Sequence, residues 1–296
     1  MPNWRVFSSN RLNYRMTRFD GSIIGKSLMR TAAMMPRVAL LLASCLLLAG
    51  TAGASADPAV LQQALAASLP GKAVNALAGI PDSGRKLLAA RSYFRSLAVI
   101  DKRWSWSEKQ IADFEGSPEQ TALLADIVRI ADHFGAANPG FGLFTNTRVR
   151  SLDEQIASWN SNASVGAAAA NLLAALESDP GMALDADSQN LPDQLKAWLG
   201  RHAPVPSPNL AAPGLSAHGQ MHAIDFQISK NGSLVAQANS ADIDSVWRAQ
   251  GWDVKLKASI AAAGPAFEGP LTSPDEPWHY SYSPDHEVSG HVQISE

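Results

Sequence analysis

Four side chains in the last third of this 296-residue sequence could do chemistry together: His218, Asp225, Glu276 and His279. His218 closes a proline-rich loop in Gly214-Leu215-Ser216-Ala217-His218-Gly219. Asp225 sits among Ala223, Ile224 and Phe226, where a carboxylate without a partner is costly. If 222–228 is extended, Asp225 shares a face with Ala223 and Gln227, and His222 points the other way. His218 is therefore preferred to His222 as the partner of Asp225. His279 lies on the face opposite Trp278 and Tyr280, and Pro277 stiffens its approach from Glu276. Two imidazoles and one carboxylate suit one catalytic zinc ion, Zn2+, with a fourth position open to water. Such an ion lowers the pKa of its water and polarises a carbonyl. Glu276 is placed to accept the water's proton and pass it to a leaving amine; Asp275 beside it is the competing carboxylate. Taken one at a time such residues more often serve structure, and His279 is too far along the chain for spacing to close a site.

The elements that must hold these residues follow from periodicity and end signals. From Pro58 to about Phe134 the pattern is helical: Val60, Leu61, Leu65 and Leu69 recur at helical spacing, as do Leu87, Leu88, Tyr93, Phe94, Leu97 and Ile100. Asp82-Ser83-Gly84 marks a helix start, and Ser117-Pro118 opens a helix through Ile130. Phe141 to Val149 is strand-like, and Ser151-Leu152-Asp153-Glu154 is a capping box opening a helix through Trp159. Helices are expected from about Ser164 to Leu176 and Leu191 to Leu199, then a loop over 202–214 with four prolines. Ala223 to Ser229 and Leu234 to Ala238 flank Asn231-Gly232, a type I′ hairpin signal. A helix from Ile243 to about Ala262, with a break at Gly251, and a last strand from Trp278 to Tyr282 complete the reading. Helices first and a small antiparallel sheet after them argue for an α+β fold.

Three segments then match a family pattern in order. Ser216-Ala217-His218 through Ala223-Ile224-Asp225 resembles the S-x-H-x(4)-A-x-D motif of the zinc D-Ala-D-Ala carboxypeptidase and dipeptidase family. Glu276-Pro277-Trp278-His279 resembles its E-x-W-H motif, and Arg150-Ser151 with Gln155 its R-S-x-x-x-Q element. The matches span about residues 140–282. The resemblance implies a fold shared with lysostaphin-type peptidases and hedgehog domains: a small antiparallel sheet carrying zinc, flanked by helices, here with an N-terminal helical extension. It implies His218, Asp225 and His279 as zinc ligands, Glu276 as catalytic base, and Arg150 as the cation that steadies the developing oxyanion. Arg148 is the rival for that role, but the Ser-Gln spacing selects Arg150. Ser216 and Gln155 would support substrate binding. Two departures stand out: Met221 where the family has glycine, and Asn146-Thr147-Arg148-Val149 where it has S-G-Y/F before the arginine.

Residues 1–37 carry seven basic side chains and one acid, an apolar run of about 13 residues follows to Gly50, and Ala54-Ser55-Ala56 ends the segment. This order is that of a secretory signal peptide over 1–56, and the run is short for a membrane span of roughly 20 residues. Leu42-Ala43-Ser44-Cys45 also resembles a lipobox, though the apolar run continues through Leu48; cleavage after Ala56 is preferred to a lipid anchor on Cys45. Removing 1–56 takes seven of 24 basic and one of 27 acidic residues, leaving 17 and 26, a net charge of −9. That balance disfavours nucleic acid as a partner. The single cysteine leaves with the leader, so no disulfide framework remains. The expected organisation is a leader over 1–56, a helical region over 57–135 and a zinc peptidase domain over 136–296. The expected function is an exported periplasmic or envelope hydrolase of peptidoglycan stem peptides. The alternative is an inactive, zinc-containing peptidoglycan-binding or structural envelope protein. His133, His202, His286 and His291 have no matching spacing, and Trp247, Trp252 and Trp278 read as core.

Overall fold

Helix starts in this chain are written locally, and the computed structural model uses them. It describes residues 57–182, 184 and 188–283; the expected leader with Cys45, and His286 and His291, lie outside the described residues. Asp57 caps α1 (Pro58–Ser68), α2 (Gly71–Ala78) follows Pro70, and Asp82 caps α3 (Ser83–Ser96) by accepting the Arg85 amide. After the short α4 (Ile100–Arg103), a Ser107–Gln110 capping box opens α5 (Glu108–Phe114). Ser117, with Pro118 behind it, opens α6 (Pro118–Ala137), two turns longer than its expected end at Ile130. β1 (Phe141–Thr145) precedes α7 (Leu152–Ser161), which starts on the Ser151–Glu154 capping box. Asn162 caps α8 (Ala163–Ser178), and α9 (Leu191–Arg201) leads into the proline-rich loop.

A 3-10 turn over Ala217–Gln220 delivers the chain to β2 (Ala223–Lys230) and β3 (Ser233–Ala236). Asn231 and Gly232 both have positive φ, 51° and 80°, as a type I′ turn requires. The helix expected from Ile243 comes in two pieces, a π-helical turn over Ile243–Arg248 and α10 (Trp252–Ala263), parted at Gly251 with φ 66°. Three two-residue strands, β4 (Phe267–Glu268), β5 (Leu271–Thr272) and β6 (Asp275–Glu276), precede β7 (His279–Tyr282). The main sheet is antiparallel with order β1-β2-β7-β4, β3 joining β2, while β5 and β6 pair separately. The fold is α+β.

Two apolar cores stabilise it. One gathers α1, α2, α3, α8 and α9 with Trp159 and the loop residues Ala212 and Leu215. The other packs α6 and α10 on the sheet through Leu123, Ile130, Phe134, Ile224, Phe226, Ile228, Leu256 and Tyr280. So α6, which precedes the sheet in sequence, belongs to the core of the sheet. Because strand side chains alternate, the buried Ile224, Phe226 and Ile228 of β2 turn Asp225 and Gln227 to the opposite, more open face. That face carries the site.

Candidate metal centre

Asp225 of β2 stands opposite His279 of β7 in the antiparallel ladder, and directly opposed residues project to one face. Their side chains meet, with His279 Nδ1 3.0 Å from Asp225 Oδ1. His218 arrives from the 3-10 turn and brings Nε2 to 3.4 Å from Asp225 Oδ2. The two imidazoles stand edge to face, ring centroids 4.9 Å apart at 80°. The three donor atoms lie within 4.8 Å of one another. A tetrahedral ion with bonds of about 2.0 Å separates its ligand atoms by about 3.3 Å, close to the 3.0 and 3.4 Å by which the two imidazoles stand from the two oxygens of Asp225. His222, just before β2, is exposed and is not among the three clustered donors.

Glu276 ends the β5–β6 hairpin and places Oε2 3.6 Å from His279 Nδ1. Asp275, the competing carboxylate, is turned away and paired with Arg248. Arg150 reaches in from the segment before α7, its Nη2 3.8 Å from Asp225 Oδ2. Arg148 instead pairs with Glu154. Burial pushes the His218 imidazole down to about 4, Arg150 and His279 adding to the fall and Asp225 opposing it. Its nitrogen lone pair is therefore free at neutral pH, the state a metal ligand needs. Burial alone would raise Asp225, but the His279 hydrogen bond and the electrostatic attraction of His218, His279 and Arg150 hold it below its ordinary range. Burial raises Glu276, helped by the charges of Asp225 and Asp275 and opposed by His279 and Arg150. A carboxylate ligand kept ionised beside a second carboxyl with raised proton affinity is the division of labour that acid–base chemistry needs.

The turn bearing His218 is held from outside the sheet. Arg150 donates its amide to the His218 carbonyl (3.2 Å), and Trp106 donates to the Gly219 carbonyl (2.9 Å). Gln220 Nε2 donates to the carbonyls of Lys102 (3.0 Å) and Trp104 (2.9 Å). A Cβ at Gly219 would stand 2.1 Å from Ser105 Oγ and 2.7 Å from Gln155 Nε2, so only glycine admits this approach. Met221 ends the turn at φ 52°, ψ 23°, the left-handed conformation that glycine takes without penalty.

Gln155, expected to support substrate binding, is buried and bonded within the protein. The side chain is 5% exposed, Nε2 donates to Ser105 Oγ and the Arg150 carbonyl, both at 2.8 Å, and Oε1 accepts the Gly214 amide at 2.9 Å. With its amide spent inside the protein it positions Arg150 and the loop. Ser216 is buried just ahead of the 3-10 turn, its carbonyl accepting the Gly219 amide. Lys102, Trp104, Ser105 and Trp106 are the supports that sequence reasoning missed, and nothing local in the sequence marks them. His133 bonds Ser259, and His202 stacks on Trp198, both away from the cluster. Trp247, Trp252 and Trp278 are buried in the core of the sheet. Among the described residues no helix is long and apolar enough to cross a membrane. No family model matches the chain, and no curated protein or solved structure matches it.

Proposed function

We propose that this chain is an exported zinc peptidase that hydrolyses a D-Ala-D-Ala or related bond in peptidoglycan stem peptides. The observation that carries the reading is the convergence of His218 Nε2, Asp225 and His279 Nδ1 on one open face, with Glu276 and Arg150 beside them. The donor set and its separations fit zinc. The peptidoglycan substrate and the export come from the three ordered motifs and the leader pattern, and the signal peptide, the periplasmic location and the N-terminal helical extension belong to the same reading.

Zinc, when bound by His218, Asp225 and His279, supplies a water of lowered pKa and a polarised carbonyl. With the ion bound, the Glu276 carboxylate would accept the proton of the attacking water, and its raised proton affinity would let it hold that proton. The same proton then goes to the nitrogen of the scissile amide as the carbon–nitrogen bond breaks, so acid and amine leave with the charge balanced. Arg150 faces the cluster with a fixed positive charge for the oxygen that becomes negative. Gln155 keeps Arg150 in place by donating to its carbonyl.

Metal analysis with a digest of purified peptidoglycan tests the reading. The expected result is one zinc per chain, stem peptides shortened at one bond, and a Glu276→Ala protein that keeps zinc but loses about 100-fold or more of the rate. Zinc without cleavage would give the inactive binding or structural reading instead. A native protein free of metal would overturn both.

A further inference from the structure

Beside the metal cluster runs a cleft of about 340 Å³ whose walls include Arg148, Arg150 and Glu154, with Ala157 and Ser158 of α7 along one side. Arg150 belongs to both, since it also stands 3.8 Å from Asp225. Arg150 therefore joins the wall of the cleft to the edge of the cluster. Val149, between the two arginines, is buried in the core of the sheet, and both arginines line the cleft. The Arg148 side chain is 67% exposed. Its pairing with Glu154 uses one Nη2 contact to Oε1, a fraction of the five donors a guanidinium offers. Glu154 is itself committed, because Oε2 accepts the Ser151 amide in the capping box of α7. Two guanidiniums against one carboxylate leave these walls with a net positive charge. Arg148 also falls in the stretch that departs from the resembled family's S-G-Y/F.

We propose that Arg148 determines specificity by binding a carboxylate of the peptide substrate in this cleft. The proposal rests on the peptidase reading above and goes further, since it names the substrate's charge and the residue that reads it. A guanidinium grips a carboxylate with charge-assisted, often bidentate hydrogen bonds. Arg150 is turned to the reacting carbonyl and Arg148 to the flank. The carboxylate is either the peptide's free terminus or an acidic side chain next to the cleaved bond.

Titration calorimetry on the zinc-loaded Glu276→Gln protein, which does not turn over, distinguishes the two. The probes are N-acetyl-D-alanyl-D-alanine, its C-terminal amide, and N-acetyl-D-glutamyl-D-alanine amide. Adding Arg148→Gln is expected to weaken the first or the third by about tenfold and to leave the uncharged amide unchanged. The probe that weakens names the source of the carboxylate. Glu154→Gln keeps a capping residue at that position while removing the competing carboxylate, and it should tighten the same probe. Equal losses on all three probes would make Arg148 a structural residue and overturn the proposal. No change on any probe, or no probe bound by the protein with Arg148 intact, would overturn it as well. The peptidase reading is judged separately, by zinc content and fragment masses from the wild-type protein.

Discussion

Met221 holds one of two non-glycine residues at positive φ among the described residues, and it does so next to a proposed ligand turn. A left-handed backbone costs a residue with a Cβ about 1 kcal/mol, so glycine would relieve the turn. The same side chain is 3% exposed in the core of the sheet, and deleting a buried side chain of this size costs about 2–5 kcal/mol. Packing should win over strain. Met221→Gly is therefore expected to lower stability by about 2 kcal/mol in denaturant unfolding, and a gain would show that backbone strain dominates. Methionine at this position thus trades backbone ease for core volume.

The elements show where local signals suffice. Asp82, Ser117 and Ser151 announce α3, α6 and α7 because a cap and its amides lie within three residues of each other. Asn231-Gly232 fixes the β2–β3 hairpin for the same reason. The face of β2 that carries Asp225 was legible from alternation alone. β4, β5 and β6 were not, since two residues cannot display a period of two. Nor was the support of the His218 turn, because residues 102–106 meet residues 214–220 only through tertiary packing. The partners of Gln155 were hidden on the same ground, Ser105 and Gly214 being 50 and 59 residues away. That support is testable. Gly219→Ala drives a Cβ into Ser105 Oγ and should cost about 1–3 kcal/mol, as overpacking usually does, and weaken zinc affinity by displacing His218. Adding Ser105→Gly removes the two nearest obstructing atoms, leaving Gln155 Nε2, and should restore part of both; failure to restore either in paired unfolding and metal titrations would place the fault elsewhere.

Across the whole molecule, the two apolar cores carry the fold and the donor cluster adds a pH dependence to it. In the metal-free protein the His218 imidazole titrates at about 4 when folded, against 6.5 when unfolded. Between those values the unfolded chain binds a proton that the folded chain refuses, so folding becomes less favourable as the pH falls. The contribution is complete above pH 6.5 and lost on the way down to 4, up to about 3 kcal/mol. Asp225, held below its ordinary range, acts in the same sense at still lower pH. The denaturation midpoint of metal-free protein should therefore drop between pH 7 and 4.5, and His218→Gln should flatten that slope. An unchanged slope in the variant would assign it to other groups. The sheet order has a further consequence, for synthesis. The central strand β2 receives its partner β7 from the far end of the described chain, and β7 brings His279. A growing polypeptide can bury its first core and form the β2–β3 hairpin while the cluster still lacks its third donor. Until residue 279 has left the ribosome there is no complete seat for a metal, so every chain cut short before His279 is born without one.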